Sequence, residues 1–112
     1  MFRIVVATLL SLCVVAVAWA NPAKELAATF LKEAEAGNAY AQVELGDLYF
    51  SGEGVPQDDT EAVKWYRKAA EQGLAKAQKK LGDMYSWGKG LSQDYAKAAE
   101  WYRKAADRKS VV

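Results

Sequence analysis

The segment Leu45–Gly73, LGDLYFSGEGVPQDDTEAVKWYRKAAEQG, is written again 36 residues later as Leu81–Lys109, LGDMYSWGKGLSQDYAKAAEWYRKAADRK. Fifteen of the 29 aligned positions are identical, including the hexapeptide WYRKAA. A fixed-period copy is the mark of a repeat architecture, in which each unit buries its apolar face only by stacking on a neighbour. Every later reading has to fit inside that constraint.

Each unit reads as two helices. Ala39 to Ser51 carries Ala41, Leu45, Leu48 and Tyr49 at helical spacing. A turn with two glycines, Gly52 and Gly54, and a stiffening Pro56 follows. Asp58 or Asp59 is placed to cap the next helix, which runs to about Gln72 and stops at Gly73. On that helix Ala62, Tyr66, Ala69 and Ala70 face the core, Trp65 lies on the flank, and Arg67 points to water with its charged neighbours. The second unit repeats the plan, with helices from about Ala75 to Trp87 and from about Tyr95 to Arg108. Gly46 and Gly82 recur in mid-helix, where each costs about 1 kcal/mol relative to Ala. That recurrence implies a helix or an aromatic ring pressed against the backbone.

Upstream, Pro22 to Ala36 reads as one more helix, with Leu26, Ala27, Phe30, Leu31 and Ala34 on its apolar side. Lys32, Ala34 and Gly37 align with Lys68, Ala70 and Gly73, so this is half a unit. The organisation expected is a leader over 1–20, a half repeat over 21–38, units over 39–73 and 74–109, and a tail over 110–112.

The leader expectation rests on a positive start at Arg3, 17 uncharged residues from Ile4 to Ala20, and Ala18-Trp19-Ala20 before Asn21-Pro22. That is the layout of a secretory signal peptide. The alternative is a retained membrane anchor, for which the run is short. Cleavage after Ala20 leaves 92 of the 112 residues and removes Cys13, the sole cysteine. The chain is then periplasmic or secreted.

Without Arg3, 14 basic residues balance 14 acidic ones, and the charges are interspersed along the helices. No basic block calls for nucleic acid or an anionic membrane surface. There is no histidine, and no cysteine beyond the leader. The usual zinc ligands, a triad base and a thiolate nucleophile are therefore missing. Neither metal nor cofactor is expected.

The unit pattern A-x-x-x-L-G-x-x-Y-x-x-G-x-G-V-x-x-D-x-x-x-A-x-x-W-Y-x-K-A-A-x-x-G resembles the Sel1-like repeat, a relative of the tetratricopeptide repeat. Unit one carries Ala41, Leu45, Gly46, Tyr49, Gly52, Gly54, Val55, Asp58, Ala62, Trp65, Tyr66, Lys68, Ala69, Ala70 and Gly73. Unit two departs at Leu91 and Lys109. The resemblance implies an all-α solenoid of antiparallel helix pairs in a right-handed superhelical stack. It also implies a non-catalytic module that binds a protein or peptide and scaffolds complexes, often exported from bacteria. One branch carries a disulfide in each repeat and is linked to penicillin binding; this chain lacks those cysteines.

In tetratricopeptide-like stacks the groove is lined by the first helix of each pair. With Leu45 turned to the core, the helical turn angle points positions 43, 47 and 50 the other way. The groove residues expected to meet a partner are Val43, Asp47, Phe50, Lys79, Asp83 and Trp87. Phe50 stands where unit two has Ser86, and Trp87 where unit one has Ser51, so the repeat demands neither ring. They are either partner anchors or rings packed on a turn or a neighbouring unit. Asp47, Asp83 and Glu44 read as groove or structural carboxylates, the alternative being the carboxylate pair that glycoside hydrolysis requires. An alternative function is glycan or peptidoglycan binding, or weak cell-wall hydrolysis, with the rings stacked on sugars. With only two and a half units, self-association through the C-terminal end of the stack is a further expectation.

Overall fold

The computed structural model describes residues 21–110, with side chains to Asp107. The expectations for residues 1–20 and for the tail at 111–112 lie outside the described residues. Five helices follow one another: α1 (Pro22–Glu35), α2 (Ala39–Ser51), α3 (Asp59–Glu71), α4 (Ala75–Trp87) and α5 (Tyr95–Ser110). No strand occurs among the described residues. Each helix packs mainly on its neighbours in sequence, which is the all-α solenoid arrangement.

Local chemistry sets the helix ends. The Asn21 side chain accepts from Lys24 N, and Pro22 opens α1. Asn38 accepts from Ala41 N at the start of α2. Asp58 accepts from Thr60 N and Glu61 N at the start of α3. Asp94 accepts from Lys97 N at the start of α5. These side chains satisfy amides that have no carbonyl partner within the helix. Gly52 and Gly88 close α2 and α4 in the left-handed conformation.

The turn from α1 into α2 repeats the one from α3 into α4. Gln42 Nε2 donates to the Ala34 carbonyl, and Gln78 Nε2 donates to the Ala70 carbonyl. The half unit therefore joins the stack by the same joint as a full one.

Val43, Tyr66, Ala70, Ala77, Leu81 and Met84 belong to the main core, which runs across the boundary between the two units. Ala34, Ala41, Leu45 and Trp65 form a second core toward the N-terminal end. Three readings change here. Trp65 is 5% exposed rather than flanking, because the half unit covers it. Lys64 and Lys68 close over its ring, their ammonium groups 5.7 and 4.6 Å from the centroid. Arg67 is half-buried, donating to the Tyr85 hydroxyl and lying over that ring. Leu26 is exposed, since α1 has a neighbour on one side only among the described residues.

The mid-helix glycines do meet aromatic rings. A Cβ on Gly46 would sit 2.6 Å from the Tyr66 ring, and one on Gly82 2.8 Å from Tyr102. The missing side chain is what lets each tyrosine lie flat on the first helix of its own pair.

Candidate functional site

Tyr66 lies across α2, and its hydroxyl donates to Asp47 Oδ1 at 2.5 Å. Lys80, from the next unit, pairs with the same oxygen at 2.9 Å and lies 5.8 Å from the Tyr66 ring centroid. Burial first, then the bond to Asp47, pushes the Tyr66 hydroxyl well above its ordinary pKa. Tyr102 likewise donates to Asp83. Glu44 meets Lys76 at 3.8 Å. The carboxylates on this face thus hold tyrosines and lysines in place. A pair of acids free for general acid–base work is not what they form.

Beside this polar row, Phe50 is the penultimate residue of α2 and Trp87 ends α4. Their ring centroids are 6.3 Å apart, tilted by 34°. Phe50 is half-buried and packed against the main core, whereas Trp87 is 56% exposed. Lys89, from the turn after α4, holds its ammonium 5.3 Å from the Phe50 centroid and 5.9 Å from that of Trp87. The ammonium is within cation–π range of both rings and sets a positive charge beside them. A depression of about 110 Å³ lies between Asp47, Lys80, Asp83 and the Phe50–Trp87 pair. A broader hollow of about 590 Å³ continues past Trp87 to Lys89, Gln93 and Tyr95. Gln93 braces it, donating to the Ser86 carbonyl and to the Tyr95 hydroxyl, both at 2.9 Å.

Of the six residues expected in the groove, Asp47, Phe50, Asp83 and Trp87 come together here. Val43 does not: it is 1% exposed, inside the main core. An inner helix of a stack is covered from more than one direction, so facing away from Leu45 is not facing solvent. Lys79, its counterpart in unit two, is exposed at the far end of the stack, beside Tyr102 and Ala106. Lys80, Met84, Lys89, Gln93 and Tyr95 were missed. The test that singled out Phe50 and Trp87 also finds Tyr95, which stands where unit one has Asp59. Only the stacking geometry brings in Lys80 and Lys89.

Among the described residues no helix is long and apolar enough to cross a membrane. The Sel1 repeat family model matches residues 39–74 and 75–110. Among solved structures the chain is similar to c5321, a protective antigen present in uropathogenic Escherichia coli strains that displays an SLR fold. The identity is 45% and the TM-score 0.72, over 73% of this chain and 18% of that one. It is also similar to a Sel1 repeat protein from Oxalobacter formigenes, at 43% identity and TM-score 0.72, over 73% of this chain and 63% of the other. Helicobacter pylori cysteine rich protein B aligns at 25% identity and TM-score 0.71, over 79% of this chain and 70% of its own. The chain thus spans less than a fifth of the E. coli antigen and under two thirds of the Oxalobacter protein. Among curated proteins there is no match. Sel1 repeats are generally non-catalytic helical scaffolds that mediate protein–protein interaction. On the repeat pattern, the stacked helix pairs and the two matched units, this chain belongs to the Sel1 repeat family.

Proposed function

We propose that this chain is an exported, non-catalytic interaction module that holds a protein or peptide segment on the face where α2 meets α4. Phe50 and Trp87 are its anchors, and Lys89 favours a segment with a carboxylate beside an apolar side chain. The observation that carries the reading is the meeting of two rings that the repeat does not require, one of them 56% exposed, across a unit boundary. Interface energy concentrates in such aromatic anchors. Asp47 and Asp83, each tied to a tyrosine, form the polar edge of the same face. Export rests on the leader pattern of residues 1–20.

The test is affinity capture from the envelope of the exporting cell, with wild-type chain and with Trp87→Ala. Loss of an anchor of this type costs about 2 kcal/mol or more, so the specific partner falls by at least about tenfold. Capture unchanged by Trp87→Ala, in a variant with the wild-type helical signal, refutes the proposed face.

A further inference from the structure

The end of the stack formed by α4 and α5 has an internal template. In unit one, Val43, Tyr66 and Ala70 form a face that α4 covers; Tyr66 is 3% and Ala70 2% exposed. The same positions in unit two are Lys79, Tyr102 and Ala106. Here Tyr102 is 36% exposed, and no helix covers this face among the described residues. With Ala75, Lys76 and Ala105 they line an open hollow of about 400 Å³.

The two faces also differ in how their charges are met. On unit one, Asp47 holds Tyr66 and receives Lys80 of α4, while Glu44 receives Lys76 of α4. On unit two, Asp83 holds Tyr102 but has no ion pair among the described residues. The counterpart of Glu44 is Lys80, whose ammonium is turned to Asp47 of unit one, and the apolar Val43 has become Lys79, which lines this face. A cation thus lines this face where unit one is apolar, whereas the carboxylate that holds the tyrosine is kept.

The residue at the joint also differs between the units. After α3 the chain reverses through Gly73, at φ 92°, straight into α4. Unit two has Lys109 at that position, and α5 runs on to Ser110.

We infer that this end face is a docking site for one amphipathic helix of another polypeptide, seated as α4 sits on unit one. The helix carries Asp or Glu at one position and Lys or Arg four residues on. The acid meets Lys79, the base meets Asp83, and small or Leu side chains between them fill the space over Tyr102 and Ala106. Positions four apart lie on one helical face, as Lys76 and Lys80 do in α4.

A labelled peptide with the α4 sequence from 75 to 87, carrying Lys76→Glu, tests this against the full-length chain by fluorescence anisotropy. A hydrocarbon staple joining its positions 79 and 83 keeps it helical, since 13 residues alone are marginal. Saturable binding is expected. Charge reversal at peptide position 80, Lys80→Glu, should weaken it at least about tenfold, as should Asp83→Lys in the protein, and combining the two should restore it. No saturable binding overturns the inference, and so does binding indifferent to these charges, which would place the peptide elsewhere. If the chain instead sediments as a dimer or larger assembly that Asp83→Lys dissociates, a second copy is the occupant and the proposed partner class is wrong. The peptide reversal leaves the protein unaltered, so misfolding of a protein variant cannot imitate the expected result.

Discussion

Gly46 and Gly82 are equivalent in the repeat but carry different loads. Tyr66, over Gly46, is locked between the two units, whereas Tyr102, over Gly82, is more than a third exposed and has room to move. Alanine brings about 1 kcal/mol of helix propensity at either site. At Gly46 the new methyl meets a ring that cannot retreat, so overpacking of about 1–3 kcal/mol outweighs the gain. Gly46→Ala should lower the denaturant midpoint, and Gly82→Ala should leave it near wild type. Equal losses would mean that the ring over Gly46 is no more constrained than its copy. The tyrosines make a second prediction. Tyr102 is pushed up to about 12, by burial first and then by its bond to Asp83 and that residue's charge. Above its unfolded value of 10.0 the unfolded chain loses this proton while the folded chain keeps it. Stability therefore falls as pH rises from about 10 to about 12. In an alkaline titration read by phenolate absorbance, Asp83→Asn should move the Tyr102 midpoint down toward 10, and an unmoved midpoint would deny Asp83 its part. That a ring lies on Gly46 was legible from one fact, the recurrence of a costly glycine at a fixed period. The burial of Trp65 was not, because a single helix pair does not show which of its sides the preceding unit covers.

At the level of the helix pair, the two units differ most tellingly where one is covered and the other is not. Val43 is 1% exposed under α4, and its copy Lys79 is exposed. Exchanging their chemistry should therefore have unequal effects. Val43→Lys places an ammonium in the main core, where burying an unpaired charge costs several kcal/mol. Lys79→Val changes an exposed position and should fall within about 0.5 kcal/mol of wild type. Urea unfolding of both variants settles the matter. A mild Val43→Lys would mean that α4 does not seal unit one. The helices α2 and α4 were readable from apolar spacing and the double-glycine turns, and both begin and end where those signals put them. α5 runs two residues past the expected Arg108, because Lys109 replaces the glycine that would have stopped it. The misplacement of Val43 has a physical cause. A helical wheel divides a helix into an inside and an outside, but α2 has neighbours on several sides, and Gln42, Val43, Leu45 and Gly46 are all buried.

Over the whole molecule, the stack turns two near-copies into a surface that neither has alone. Phe50 comes from unit one, Trp87 and Lys89 from unit two, and they meet only because the units are docked. Their non-repetition was visible in the chain, but their 6.3 Å approach was not, since it depends on the packing of α2 against α4. The lone sequence criterion also left out Lys80, whose bond to Asp47 ties the units together at the edge of the same face. Site-specific photo-crosslinking in the cell that makes this protein measures the use of this face most directly. A photoreactive side chain at Ser86, beside Phe50 and Trp87, is compared with one at Tyr40, exposed but outside the hollow. The account predicts a discrete crosslinked partner from position 86 that disappears with Trp87→Ala, and none from position 40. The same partner from both positions, or a position-86 crosslink that survives Trp87→Ala, would contradict it.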